Sequence, residues 1–397
     1  MRMSGARLGY GMLTVAASLV MAATAAWVPA GPAAAAAGAA AQALPFAPSG
    51  VLNQVAAASA GNAWAVGRYT NANGTRTLIA HWNGIHWKVL RNPASARHVW
   101  LDSVAMISAR NAWAVGFSAG NSGARGTIIL HWDGTAWKRT AGPSPGNGAS
   151  LIGVAATSAS NAWAVGATGG FKTLILRWNG TTWKRVPSPS PHGGAVLIGV
   201  AATSAGNAWA VGNTAGGKTL ILRWNGTTWK RVPSPNPAGS GTLDRVTAIS
   251  ARNAWAVGAT GAAPLIVHWN GTSWKAVHSS TLTRAGELIG VTATSAHNVW
   301  AVGNTGPVSA AARASRNAWA TPVADGSQAV QPKTLILRWN GTAWRRVPSP
   351  SPAGGAALIG VTATSARNAW AVGGVDPLGA TAKALVLRWN GTAWQRQ

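Results

Sequence analysis

The 397-residue chain contains no cysteine, and only 6 of its side chains are acidic against 33 Lys and Arg. The first absence removes disulfides, thiolate nucleophiles, iron–sulfur clusters and zinc ribbons together, since each needs a thiol. It does not place the chain in the cytoplasm, because an exported domain large enough to bury its own core folds without disulfides. The second absence leaves little room for any mechanism that needs several carboxylates. Tyr and Phe are scarce as well, at 2 and 3 residues, while Trp reaches 24. With 47% hydrophobic and 10% charged residues, the composition is that of a chain with a core rather than a disordered one.

Residues 1–43 read as a targeting segment. Arg2 and Arg7 make a basic start, and the apolar run from Met12 to Val28, interrupted by Ser and Thr, is short for a membrane span. Ala-x-Ala cleavage options extend from Ala23-Thr24-Ala25 to Ala41-Gln42-Ala43. The expectation is a cleaved secretory signal and a secreted or extracellular product, wall association included, with no transmembrane span in the mature chain. Removing Arg2 and Arg7 leaves 31 basic against 6 acidic side chains, a charge of +25. Such a chain adheres to polyanions at low salt. For an exported protein those are acidic wall polymers or extracellular polysaccharide; nucleic acid is not expected.

From Val51 onward one unit is repeated seven times, most cleanly as Leu151-IGVAATSASNAWAVGATGGFKTLILRWNGTTWKRVPSPSP. One Trp recurs at 64, 113, 163, 209, 255, 300 and 370, with spacings of 49, 50, 46, 46, 45 and 70. A second motif, Trp-Asn/Asp-Gly-x-x-Trp, begins at Trp82, Trp132, Trp178, Trp224, Trp269, Trp339 and Trp389. The unit parses into four short strands: Leu151 to Thr157, Ala162 to Gly166, Thr173 to Trp178 and Thr182 to Val186. The turn at Ser158–Asn161 has an Asn that tolerates the left-handed region, Asn179-Gly180 is a two-residue hairpin signal, and the Pro-Ser-Pro-Ser-Pro connector is stiff and cannot join a sheet. Four strands per repeat is the period of a propeller blade, so the fold expected is an all-β, seven-bladed propeller over 44–397.

The repeat resembles the secreted bacterial propeller repeats written S-x-N-x-W-A-V-G followed by W-N/D-G-x-x-W, loosely called kelch-like or BNR-like. The resemblance covers 51–397 and implies the fold. It departs from the sialidase Asp-box, because Trp178 and its counterparts stand five residues before the last Trp, and the kelch double glycine is missing. A sialidase site also wants a Tyr with a Glu partner, and Tyr69 is the only mature Tyr. Neither activity carries over to residues of this chain, and fold alone does not give function.

Residues identical in every repeat answer a demand of the scaffold. The 21 motif Trp residues are therefore assigned to the space between blades. Five of the six Asn-Gly-Thr sequon matches are hairpin turns, so the match follows from turn chemistry. Lys138-Arg139, Lys184-Arg185, Lys230-Arg231 and Arg345-Arg346 fall on the outermost strand, where they discourage edge pairing. A second ring comprises His81, His131, Arg177, Arg223, His268, Arg338 and Arg388. Its His residues come from different blades, too far apart to share a metal ion, so no metal is expected; nor do the motifs call for a cofactor.

Function is sought where the repeats disagree. The innermost strands begin Leu-Ile-Gly in blades three, four, six and seven, but Leu52-Asn53-Gln54, Leu101-Asp102-Ser103 and Leu243-Asp244-Arg245 in blades one, two and five. With Glu287, three of the six acids fall at the end of these strands that forms the channel mouth. Blades one and two add Arg68, Tyr69, His98, Trp100 and Phe117 on the same face. Asn53, Arg68, Tyr69, Trp100, Asp102 and Phe117 are thus the candidate ligand-binding residues, suited to a small polar ligand or sugar. Asp244 and Glu287 are the only candidate pair for hydrolysis or lyase chemistry, which would need carboxylates about 5–9 Å apart. Trp300 to Trp339 spans 39 residues where Trp163 to Trp178 spans 15, so blade six carries an insertion over about 304–332 with a half-copied motif at Trp319. The reading is a monomeric, exported, non-catalytic binding scaffold for a glycan, an anionic wall polymer or a secreted protein; the alternative is a secreted carbohydrate-active hydrolase or lyase.

Overall fold

The computed structural model describes residues 46–397, apart from 73, 91–97, 121–124, 146–147, 262, 278–285, 307–330 and 377–380. The targeting segment, Trp319 and most of the blade-six insertion lie outside the described residues. Seven four-stranded antiparallel sheets follow one another, each built only from strands consecutive in sequence. They span 51–89, 99–139, 150–185, 195–232, 242–276, 286–346 and 356–396. In blade three the strands are Ser150–Ser158, Asn161–Ala167, Thr173–Trp178 and Trp183–Arg185, named innermost to outermost below. The protein is an all-β, seven-bladed propeller.

The blades adhere through tryptophan. Each second-strand Trp is buried and packs on both Trp residues of the next blade's Trp-Asn/Asp-Gly-x-x-Trp motif. Trp163, for example, lies 5.0 Å from Trp224 and meets Trp229 edge to face at 5.1 Å. The same triad closes the ring, since Trp370 of blade seven packs on Trp82 and Trp87 of blade one. Residues ahead of blade one complete the closure. Gly50 N donates to Ala382 O, Ala384 N donates to Pro48 O, and Phe46 packs on Trp87. This segment does for blade seven what the Pro-Ser connectors do elsewhere. In blade three Thr173 Oγ1 bonds Ser188 Oγ and donates to Pro189 O, while Thr173 N donates to Ser190 Oγ. The connector thus turns back along its own third strand.

Two turns differ from the sequence reading. Trp178 pairs with Trp183, so Asn179 to Thr182 form a four-residue loop and not a two-residue hairpin. Asn179 Oδ1 accepts from Thr181 N, Thr181 Oγ1 and Thr182 N, which explains Asn or Asp at the first position and the frequent Thr at the third. At the other turn Asn161 is not left-handed, since His98, Phe171 and Asp376 are the described non-glycine residues with positive φ. It acts through its side chain, with Nδ2 donating to Thr157 Oγ1 at 2.7 Å.

Every innermost strand carries a β-bulge after its Leu, because one residue there has no partner on the second strand. The bulged residues are Asn53, Asp102, Ile152, Ile198, Asp244, Ile289 and Ile359. This also explains the Gly of the Trp-Ala-Val-Gly motif. A Cβ at Gly166 would run into the Ser150 carbonyl oxygen, and the same collision recurs in each blade.

Candidate functional site

The bulges surround the propeller axis, and the channel there is filled rather than open. On one side Ile289 and Ile359 pack together with Val51. On the other side the polar blades reach toward one another. Asn53 Nδ2 donates to Leu101 O at 2.9 Å and to Asp102 Oδ1 at 3.3 Å. Arg245 of blade five donates through Nη1 to Ile198 O and Asp244 O, and through Nη2 to Asp102 O of blade two. A side chain that joins blade five to blade two must cross the axis. Arg245 was missed as a functional candidate. Its signal was its position, where blades three, four, six and seven have Gly.

Asp102 is 9% exposed, and its Oδ2 has no hydrogen-bond partner among the described residues. Burial raises its pKa to about 6, partly offset by the positive charges of Arg68, Arg245 and Arg125. Burial likewise lowers Arg245 to about 10, against the opposing pull of Asp102. The channel therefore holds charge at the expense of stability, since ordinary packing is met by Ile in four blades.

The six candidate ligand-binding residues separate into three places. Asn53, Asp102 and Arg68 gather at the channel, with Arg68 shifted downward by burial and upward by Asp102. Trp100 and Phe117 face each other across the first two strands of blade two and stack at 4.8 Å with a 14° interplanar angle. Phe117 is buried and Trp100 half-buried. The exposed Arg125 caps Phe117 at 5.0 Å, and His98 lies 6.4 Å from Trp100. Tyr69 points elsewhere. It packs against the core shared with blade seven, on the sheet face opposite to Arg68.

Asp244 and Glu287 occupy different rings. Asp244 is a bulged residue at 0% exposure, whereas Glu287 takes the position that Trp100 holds in blade two and is 3% exposed. Both are inside the packing rather than on an open rim. Among the described residues no group of three His, Cys, Asp or Glu could hold a metal ion.

The basic ring before the third-strand Trp lies between the blades. Arg177 sits 5.0 Å from Trp163 of its own blade and 5.4 Å from Trp224 of the next. His81, His131 and His268 stack at 4.3, 4.2 and 4.0 Å on Trp64, Trp113 and Trp255. Burial lowers the pKa of all three imidazoles. On the outermost strands Lys184, Arg185, Lys230 and Arg231 are exposed, as the edge-strand reading expects.

No protein-family model matches the chain, and no curated protein matches it in sequence. Solved propellers are similar to it in structure. YCF48 bound to D1 peptide is 14% identical over 87% of this chain and 93% of that one, with a TM-score of 0.53. YCF48 from Cyanidioschyzon merolae is 16% identical over 86% and 97%, also at 0.53. The GH74 xyloglucanase from Xanthomonas campestris is 13% identical at a TM-score of 0.56, over 87% of this chain but 53% of its own. At such identities the likeness is one of fold.

Proposed function

We propose that the protein is an exported, non-catalytic binding scaffold that recognises a cell-envelope or extracellular glycan, or a secreted partner, on the channel-mouth face over blades one and two. One observation carries this reading. Blades that are otherwise near copies diverge at the mouth, where the half-buried Trp100 is stacked on Phe117, with Arg125 capping that ring, and the neighbouring channel is held by Asn53, Asp102 and Arg245. A flat aromatic beside a cation suits the face of a sugar ring or a planar side chain. The burial of Asp244 and Glu287 argues against the hydrolase alternative, because a general acid must reach the bond it cleaves.

The test is binding of the mature chain to a glycan array and wall polysaccharides at low and at about 0.15 M salt. Salt-resistant binding should fall about tenfold or more in Trp100→Ala, a loss near 1.4 kcal/mol. Binding that disappears with salt in both proteins, or that Trp100→Ala leaves unchanged, would reject the mouth site. Turnover of any bound glycan that Glu287→Gln abolishes would instead favour the hydrolase.

A further inference from the structure

The face opposite the channel mouth is formed by the turns between first and second strands and between third and fourth. Here the blades are regular, and a conserved packing job is done by two chemically different groups. In blades one, two and five a His stacks on the second-strand Trp, and burial favours its neutral form. In blades three, four, six and seven an Arg occupies the same register position, opposite the second-strand Trp. An imidazole therefore satisfies the scaffold, and the fixed charge of the four arginines exceeds what packing requires.

Those guanidiniums are held ready. Arg223 lies 5.0 and 5.4 Å from Trp209 and Trp269, Arg338 4.9 and 5.8 Å from Trp300 and Trp389, and Arg388 4.9 and 5.1 Å from Trp370 and Trp82. Arg338 donates Nε to Asn298 Oδ1 at 3.0 Å and Nη2 to Ala366 O of the next blade, whereas among the described residues Arg177 donates through Nη2 alone, to Asn161 Oδ1 and to Ala205 O of the next blade, each at 3.3 Å. Its Nε–H and Nη1–H groups have no acceptor among the described residues and remain for another. Beside it is a cavity of about 520 Å³, whose walls include Ser158, Ser160, Asn179, Thr203 and Ser204. A second cavity of about 520 Å³ lies at Arg338, lined within blade six and its connector by His297, Asn340, Arg345, Arg346, Val347 and Pro348. The only described acid on this face is Asp133 of blade two, and it is taken by Lys138 at 2.6 Å.

We propose that Arg177, Arg223, Arg338 and Arg388 are anion-receiving subsites, and that the turn face binds an anionic carbohydrate polymer with a carboxylate or phosphate on each guanidinium and, beside Arg177, its hydroxyls on the Ser and Thr walls. A guanidinium clamped between indoles gives up little side-chain freedom on binding, and its planar fork matches either oxyanion. Several subsites on one rigid ring add avidity along a repeating polymer. The surface is distinct from the mouth site proposed above.

The substitution that tests this is already present in the protein. Replacing all four arginines by His makes these blades resemble blades one, two and five, so the fold should survive; thermal unfolding checks that it does. The probes are polygalacturonate and poly(glycerol phosphate), with dextran as the neutral control, at about 0.15 M salt and about pH 7.5. The native protein should bind at least one anionic polymer and not dextran, and the four-His variant should bind it at least about tenfold more weakly. Which anionic polymer binds decides between carboxylate and phosphodiester. Lys184→Gln/Arg185→Gln/Lys230→Gln/Arg231→Gln removes equal charge from the outermost strands and should cost less than about threefold. If the four-His protein does not fold, the converse variant His81→Arg/His131→Arg/His268→Arg should bind more tightly than native. The proposal is overturned if the native protein binds neither anionic polymer, if dextran binds equally, if the four-His variant binds like native, or if the outermost-strand variant loses as much. A folded converse variant with no gain would overturn it as well.

Discussion

The channel and the turn face of this propeller use charge in opposite ways. In the channel and around it, the charges that set blades two, five and six apart are few, mixed in sign and buried: Asp102, Asp244, Arg245 and Glu287 are each at most 9% exposed. On the turn face they are numerous, almost all positive and exposed or half-buried, with Asp133 the sole described acid. The mouth is also where the blades differ, while the turn face repeats. A buried charge in a site where other blades place Ile is costly and argues for a role particular to that blade. A repeated exposed charge costs little and acts through number.

The sharpest break between repeated and irregular residues should come from tryptophan. Trp163→Ala should destabilise by about 3–5 kcal/mol, because it empties a fully buried inter-blade triad. Trp100→Ala, at a half-buried site that the other blades fill with Val, Ser, Thr, Glu or Ala, should cost no more than about 1 kcal/mol. Chemical denaturation of both variants compares them, and equal losses would erase the distinction between scaffold and site. Because neighbouring blades are coupled but not identical, the whole unfolding curve should be followed rather than a single midpoint.

Next in size is Asp102. Its folded pKa of about 6 lies above the unfolded value of 3.8, so the native state binds a proton more readily than the unfolded chain. The associated stability is complete below the unfolded value and is lost as pH rises through the folded one. Asp102→Asn should therefore raise stability near pH 7.5 by up to about 3 kcal/mol, with the gain vanishing near pH 4. Melting temperatures of both proteins across that range check it. A constant offset at every pH would mean that packing, not ionisation, sets the difference.

Smaller again is Asn179→Ala, expected to cost about 1 kcal/mol through loss of the Asx turn, with a similar cost at Asn225 and Asn340. Arg177→His should change stability least, within about 0.5 kcal/mol, because His131 and His268 already show the same stack with a bond to the second-strand Asn. Thermal shift measurements on these variants would show whether the turn face tolerates exchange as its repetition implies.

Much of this was legible in the repeat. Seven copies of a four-strand unit, with Trp in register, imply a ring of blades and assign the motif Trp residues to the interfaces, and Trp163 with Trp224 and Trp229 is that arrangement. Periodicity also marked blades one, two and five as exceptional. It could not place Tyr69, because a shift of one residue along a strand reverses the face, and Tyr69 packs toward blade seven while Arg68 is coupled to Asp102 of blade two. Nor could it distinguish the two-residue hairpin from the four-residue Asx turn, since Asn-Gly serves both.

Fold and blade number were written in the sequence because they rest on local, repeated patterning: strand length, turn residues and the apolar face each blade must bury. The channel network depended on tertiary structure, because Arg245 meets Asp102 only when the ring closes and brings residues 143 positions apart across one axis. The same holds for closure through Trp370, Trp82 and residues 48–50, and for the cavity between blades three and four at Arg177. Each is made of groups from separate repeats, and no spacing along the chain records how far a closed ring carries them toward one another.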